Sequence, residues 1–157
     1  MRKTILALLA GVLFVPSTFA ADQGDVAAPI RQFIDGFNNG DTKAALATIA
    51  QVDIHIIDEF APYSWNGPNA AQDWIAGYDK HAQATGVTDG IVKYEAPTRI
   101  EIEGDLAYVI MPTLYLYKEH GKPMAEEGQL TCVLHAEAGE WKISAWTWSG
   151  VKPHPAM

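Results

Sequence analysis

Between positions 26 and 38 the apolar side chains Val26, Ile30, Phe33, Ile34 and Phe37 recur three and four residues apart, and Asn39-Gly40 ends the run. This spacing predicts an amphipathic helix, with Pro29 accommodated in its first turn. Asp41 then has the chemistry of an N-cap for a shorter helix over 42–49, whose apolar positions are Ala45, Leu46 and Ile49. The period changes to two over 53–58, which predicts a strand. A loop rich in Pro, Gly and Asn follows over 60–68. A third helix is expected over 69–85, with Trp74, Ile75, Tyr78 and Ala82 as its inward stripe and Gly86 as its stop.

The remainder reads as a meander of four strands over 91–103, 105–118, 124–136 and 141–148. They are separated by Gly104-Asp105, His120-Gly121-Lys122 and Ala138-Gly139. Helices followed by long antiparallel strands define an α+β class, a curved antiparallel sheet wrapped around three N-terminal helices in the shape of a cone. Pro97, Pro112 and Gly128 are natural places for the long strands to bend. A sheet bent around helices leaves an open end, so the architecture by itself suggests a pocket.

Alternation sorts the strands into faces, because residues two apart share a side. In 91–103 the set Val92, Tyr94, Thr98, Ile100 and Ile102 is expected inside, against Lys93, Glu95, Arg99, Glu101 and Glu103 outside. In 124–136 Leu130, Cys132 and Leu134 point in, and Glu127, Gln129, Thr131 and His135 point out. The 105–118 strand is apolar on both faces. A two-residue loop at Gly104-Asp105 pairs Glu103 with Leu106 and turns Ala107, Val109, Met111, Thr113 and Tyr115 inward. Tyr108, Ile110, Leu114 and Leu116 then lie outside, whereas a three-residue loop would exchange the two sets. In the last strand strict alternation puts Trp141, Ile143, Ala145 and Thr147 on one face and Lys142, Ser144, Trp146 and Trp148 on the other. The polar members make the second face the outer one. Trp146 and Trp148 would then join Ile110 and Leu114 in an apolar patch suited to a homodimer interface. The alternative is that both tryptophans cover the sheet or line the cone.

The N-terminus has a separate logic. Arg2 and Lys3 precede an apolar run, 5–15, that stops at Pro16, and Thr18-Phe19-Ala20 supplies small residues at cleavage positions. These are the three parts of a secretory signal peptide, 1–20, too short to span a bilayer. The expectation is cleavage after Ala20 and a periplasmic or secreted single domain over 21–157, with a core at 26–150 and a short, loose Pro-rich tail at 151–157. The formal charge is already −8, and losing Arg2 and Lys3 makes it more negative. The remaining basic residues are scattered, which argues against nucleic acid and against an anionic membrane surface as partners. With Cys132 as the only cysteine, no intramolecular disulfide can form, and the thiol is expected as a buried small hydrophobe.

Several segments, in order, carry a family resemblance: G-F-N-N-G-D at the end of the first helix, W-N-G-P-N-A-A-Q-D-W entering the third, G-D-L-A-Y-V opening a strand and G-E-W-K-I-S-A-W near the end. The chain over 26–150 resembles the SnoaL-like branch of the nuclear transport factor 2-like superfamily, the group with the ketosteroid isomerase-like cone. That resemblance implies an α+β cone, often dimeric, in a family of isomerases, cyclases, dehydratases and pure binding domains. It does not select among these activities.

Asp58 shares the parity of Ile54 and Ile56 and so ends a strand that enters the cone. In family members that act on carbon acids, a carboxylate in the cone serves as general base, and Asp58 is the candidate for that role. The competing reading makes it a loop cap at the rim. Tyr63 and Trp65, in the adjoining loop, are candidate ligand contacts or a hydrophobic plug. Trp74, Tyr78, Tyr94 and Tyr115 are candidates to line the cone, or simply core. No HExxH-type spacing occurs, and His55 with Asp58 makes only two potential metal ligands, so no metal is expected. No G-x-S-x-G elbow, phosphate loop or G-x-G-x-x-G appears, so no cofactor is expected either. The leading expectation is a domain that binds a small apolar or aromatic molecule. The alternatives are a cofactor-independent isomerase, dehydratase or cyclase using Asp58 with Tyr63 or Tyr94 as donor, and an interaction module working through the outer sheet face.

Overall fold

The computed structural model describes residues 24–51 and 54–156. The signal peptide expected at 1–20 lies outside the described residues. Helix α1 (Ala28–Asn38) buries Ile30, Phe33 and Ile34, the stripe that its spacing predicts. Helix α2 (Thr42–Leu46) is capped by Asp41, whose carboxylate accepts from the Ala44 amide at 2.9 Å. It is three residues shorter than the pattern suggests, because Ile49 leaves the helix to bridge Ile143. Helix α3 (Ala70–Thr85) ends at Gly86 with φ of 69°. A side chain there would also collide with the His120 ring, so both backbone and space require glycine.

The strands form one mixed, curved sheet. Strand β1 (His55–Ile57) makes a hairpin with β2 (Ser64–Asn66), which lies inside the segment expected to be all loop. The long strand expected at 91–103 is instead two, β3 (Val87–Tyr94) and β4 (Arg99–Glu103), broken around Pro97. Both lie along the same neighbour, β5 (Leu106–Glu119), which pairs in turn with β6 (Lys122–Glu137). Strand β7 (Glu140–Gly150) follows β6, and β1 joins β7 in parallel, giving the order β2-β1-β7-β6-β5-β3. The tail expected to be loose forms β8 (His154–Pro155) against Met124 and Ala125 of β6.

The Gly104-Asp105 loop has two residues and pairs Glu103 with Leu106. The faces of β5 follow from it, with Ala107, Val109, Met111 and Thr113 buried against the helices. Leu130, Cys132 and Leu134 of β6 and Ile143 of β7 complete the inner wall. Ile100, placed inside by parity, does share the face of its partner Val109, yet it is 46% exposed at the far end of the sheet.

Strand β7 departs from strict alternation. Val133 pairs with Ala145 while Leu134 pairs with Ile143, so Ser144 is an extra residue, a β-bulge. Its hydroxyl donates to the Val133 carbonyl at 3.2 Å. One inserted residue exchanges the faces of everything beyond it. Trp146 and Trp148 therefore face the cone, opposite Cys132 and Leu130, and are not on the outer face with Ile110 and Leu114. Trp146 is 4% exposed. Trp141, before the bulge, is core as expected.

Candidate functional site: an aromatic cone with a carboxyl wall

The helices and the inner sheet face enclose a cavity of about 360 Å³ that opens at one end. Its floor is an aromatic cluster. Trp74 meets Trp146 edge to face at 4.9 Å between ring centres, and Phe33 lies 5.9 Å from Trp74 and 5.7 Å from Trp146. Phe37 packs edge-on to Tyr78 at 5.1 Å. These residues reach the cavity from α1, α3 and β7, and each sits on the inward stripe of its element. The tyrosine hydroxyls of Tyr78 and Tyr115 are 2.6 Å apart, and Tyr117 stacks on Tyr115 at 4.7 Å.

The polar groups converge on one wall. Asp58, directly after β1, accepts a hydrogen bond from the Trp74 indole at 2.7 Å and another from the Glu59 amide at 2.8 Å. Burial raises the pKa of its carboxyl, the two hydrogen bonds oppose the rise, and Glu126 adds to it. Glu59, exposed on its outer flank, also lines the cavity. Its pKa is pushed up to about 8, first by desolvation, then by the hydrogen bond and charge it shares with Glu126, and then by the charge of Asp58. Glu126 is 1% exposed, on the inner face of β6, and accepts from the Trp148 indole at 3.3 Å. Gly150 leaves room for that carboxylate, since a Cβ there would stand 2.5 Å from Glu126 Oε1.

With its carboxyl raised to about 8, Glu59 still holds a proton near neutral pH and can give it up there. Burial and the neighbouring acids raise the Tyr117 phenol to about 12, and burial is the main cause that holds Tyr115 higher still. These phenols therefore remain neutral donors. Thr113 Oγ1 and Trp146 Nε1 are buried without a hydrogen-bond partner among the described residues, and both side chains line the cavity.

Of the residues singled out from the sequence, Asp58, Trp74, Tyr78 and Tyr115 come together at the cavity. Tyr63 does not, being 59% exposed on the hairpin loop. Trp65 is buried but packs against Phe60 at 5.0 Å, away from the cavity, as a plug would. Tyr94 reaches Asp35 at 3.3 Å on the other side of α1. His55 bonds Asn66 rather than Asp58. Among the described residues no three His, Cys, Asp or Glu side chains cluster as a metal site would require. Glu59, Glu126 and Tyr117 were not anticipated. Glu126 could have been, because it shares the parity of Leu130, Cys132 and Leu134. Glu59 lies in a loop where no periodicity applies.

A curved, unclosed sheet over three helices with a cavity at its open end defines the cone-shaped class of α+β domains. The chain belongs to the SnoaL-like domain family, whose model matches residues 26–152. No curated protein matches it in sequence. Solved structures share the fold at low identity. A ketosteroid isomerase-like protein from Erwinia carotovora atroseptica SCRI1043 is 20% identical, with a TM-score of 0.63 over 82% of this chain and 95% of that one. Hexachlorocyclohexane dehydrochlorinase LinA-type3 from Novosphingobium barchaimii LL02 is 18% identical, with a TM-score of 0.67 over 82% of this chain and 88% of that one. An NTF-2-like protein of unknown function from Shewanella oneidensis MR-1 is 17% identical, with a TM-score of 0.56 over 79% and 95%.

Proposed function

We propose that this protein binds a small, largely apolar or aromatic molecule inside the cone. The observation that carries the reading is an open cavity of about 360 Å³ lined mainly by aromatic and aliphatic side chains, with a few acids held among them by the Trp74 and Trp148 indoles. An apolar surround with a few convergent polar groups is the usual composition of a ligand site. Trp74, Trp146 and Trp148 all line it, so occupancy should alter their emission. Titration with a panel of monocyclic and bicyclic aromatic compounds, followed by tryptophan fluorescence, tests the reading. Saturable quenching that Thr113→Phe abolishes supports it, and an unresponsive signal across the panel would sink it.

A second reading is cofactor-independent isomerisation, dehydration or cyclisation with Asp58 as base. Its support is the raised pKa of a carboxyl that faces the cavity. Tyr63 and Tyr94 lie off the cavity, so the donor would be Glu59 or the Tyr78–Tyr115 pair. Loss of turnover in Asp58→Asn, with ligand affinity kept, is the result this reading requires. Export and homodimer formation stand as further proposals. The first rests on the leader-like N-terminus. The second is narrowed to the outer face of β5, with Ile110 and Leu114, now that Trp146 and Trp148 are accounted for inside.

A further inference from the structure

The cavity's charge is one-sided. Asp58, Glu59, Glu119 and Glu126 line it, and His81 is the only basic side chain among the described residues that do. His81 is stacked on the Phe60 ring at 5.1 Å. Of the influences on the Asp58 carboxyl, the charge of His81 is the smallest. The carboxyl wall is therefore uncompensated by lysine or arginine, and it shares the cavity with the rings of Phe33, Trp74, Trp146 and Trp148. Trp148 bonds Glu126 through its indole edge, and Tyr117 stands close enough to Glu126 for that charge to raise its phenol. Carboxylates together with electron-rich rings are the two surfaces that attract a cation in a partly dry site. A second, independent feature is Thr113, 6% exposed on the inner face of β5, whose hydroxyl lines the cavity with no partner. A buried hydroxyl left unpaired is costly, and a ligand N–H would satisfy it.

We propose that the ligand of this cone is an organic ammonium ion on an apolar body, its charged nitrogen set against Glu126 and Glu59 and its hydrocarbon part among Trp74, Trp146 and Phe33. The inference rests on the cavity being a ligand site and names the ligand's chemical class. A compact metal ion is the poorer match, because no three ligating side chains come together among the described residues. An ammonium ion needs only one or two acceptors plus ring faces, which is what the wall offers.

Occupancy by a cation has a proton consequence. A positive charge beside Glu59 favours its ionised form, so binding near neutral pH expels the proton that its raised carboxyl holds. The groups facing the pair are Asp58 from the loop after β1, Tyr78 and His81 from α3, and Tyr115, Tyr117 and Glu119 from β5. The tyrosines Tyr78, Tyr115 and Tyr117 have raised pKa values, which keeps them protonated through this range.

The test compares 2-phenylethylammonium with 2-phenylethanol, two soluble ligands of nearly equal shape that differ in charge, by calorimetry on the purified protein at pH 7. The expected result is binding of the ammonium ion at least about tenfold tighter than the alcohol. Calorimetry in two buffers of different ionisation enthalpy should also show proton release with the ammonium ion and none with the alcohol. Glu126→Gln and Glu59→Gln should each reduce the ammonium affinity and leave the alcohol's unchanged. The proton count on the parent protein stands by itself if Glu126→Gln fails to fold. Equal or tighter binding of the alcohol would overturn the inference while leaving the cavity as a neutral-ligand site. Binding of neither compound would overturn both.

Discussion

The Trp74 indole donates to the Asp58 carboxylate at 2.7 Å, tying the second turn of α3 to the residue that follows β1. Both residues line the cavity, so the bond joins helix to sheet at its wall. It also gives the buried carboxylate a donor that partly offsets the desolvation raising its pKa.

Removing that acceptor leaves a buried indole N–H without a partner. Asp58→Ala should therefore lose about 1–3 kcal/mol in urea unfolding, the usual cost of an unsatisfied buried donor. Asp58→Asn keeps a carbonyl acceptor for Trp74 and should stay within about 1 kcal/mol of the parent. Equal losses in the two variants would contradict this role for the bond.

Stability should fall as pH rises through the neutral range. The Glu59 carboxyl goes from its ordinary 4.5 in the unfolded chain to about 8 in the fold. Between those values the folded state holds a proton that the unfolded chain has released, so alkali favours unfolding. Above about pH 8 both states are ionised and this contribution levels off. The melting temperature should decline from pH 5 to pH 8, and Glu59→Gln should flatten the decline. A variant with the parent's slope would place the pH dependence elsewhere.

Trp146 offers a direct check on the β7 bulge. As a core residue packed on Phe33 and Trp74, its replacement by Ala should cost about 3–5 kcal/mol. On an outer face the same change would cost about 0.5 kcal/mol or less. Chemical denaturation distinguishes the two.

Gly128 sets the position of Trp148. A Cβ at Gly128 would stand 2.7 Å from the Trp148 ring and 2.9 Å from the Ser149 carbonyl, so Gly128→Ala must displace both. The expected outcome is a loss of about 1–3 kcal/mol, together with a change in tryptophan emission. Unaltered emission would mean that the ring has not moved.

Cys132 is fully buried, and burial alone raises its thiol well above the ordinary range. It should resist a thiol-specific reagent in the folded protein and react on unfolding. Rapid labelling without denaturant would show that the sheet opens locally.

Periodicity, caps and turns are local properties, and for them the sequence was sufficient. It identified three helices, the Asp41 cap, the Gly86 stop and the two-residue loop that orients β5. The α+β class and the inward placement of Trp74, Tyr78 and Tyr115 follow from the same patterns. Other features depend on pairing between distant segments. Ser144 becomes a bulge only through its register against Val133 and Leu134, and that register moves Trp146 and Trp148 from the outside to the cavity. Glu59 and Glu126 are far apart in the chain and meet only because β1 joins β7 while β7 pairs with β6. The chain alone thus determined which residues could form each element. Only the tertiary structure decided which acids share a wall, because proximity across a curved sheet is set by strand order and register, and neither leaves a periodic trace in the sequence.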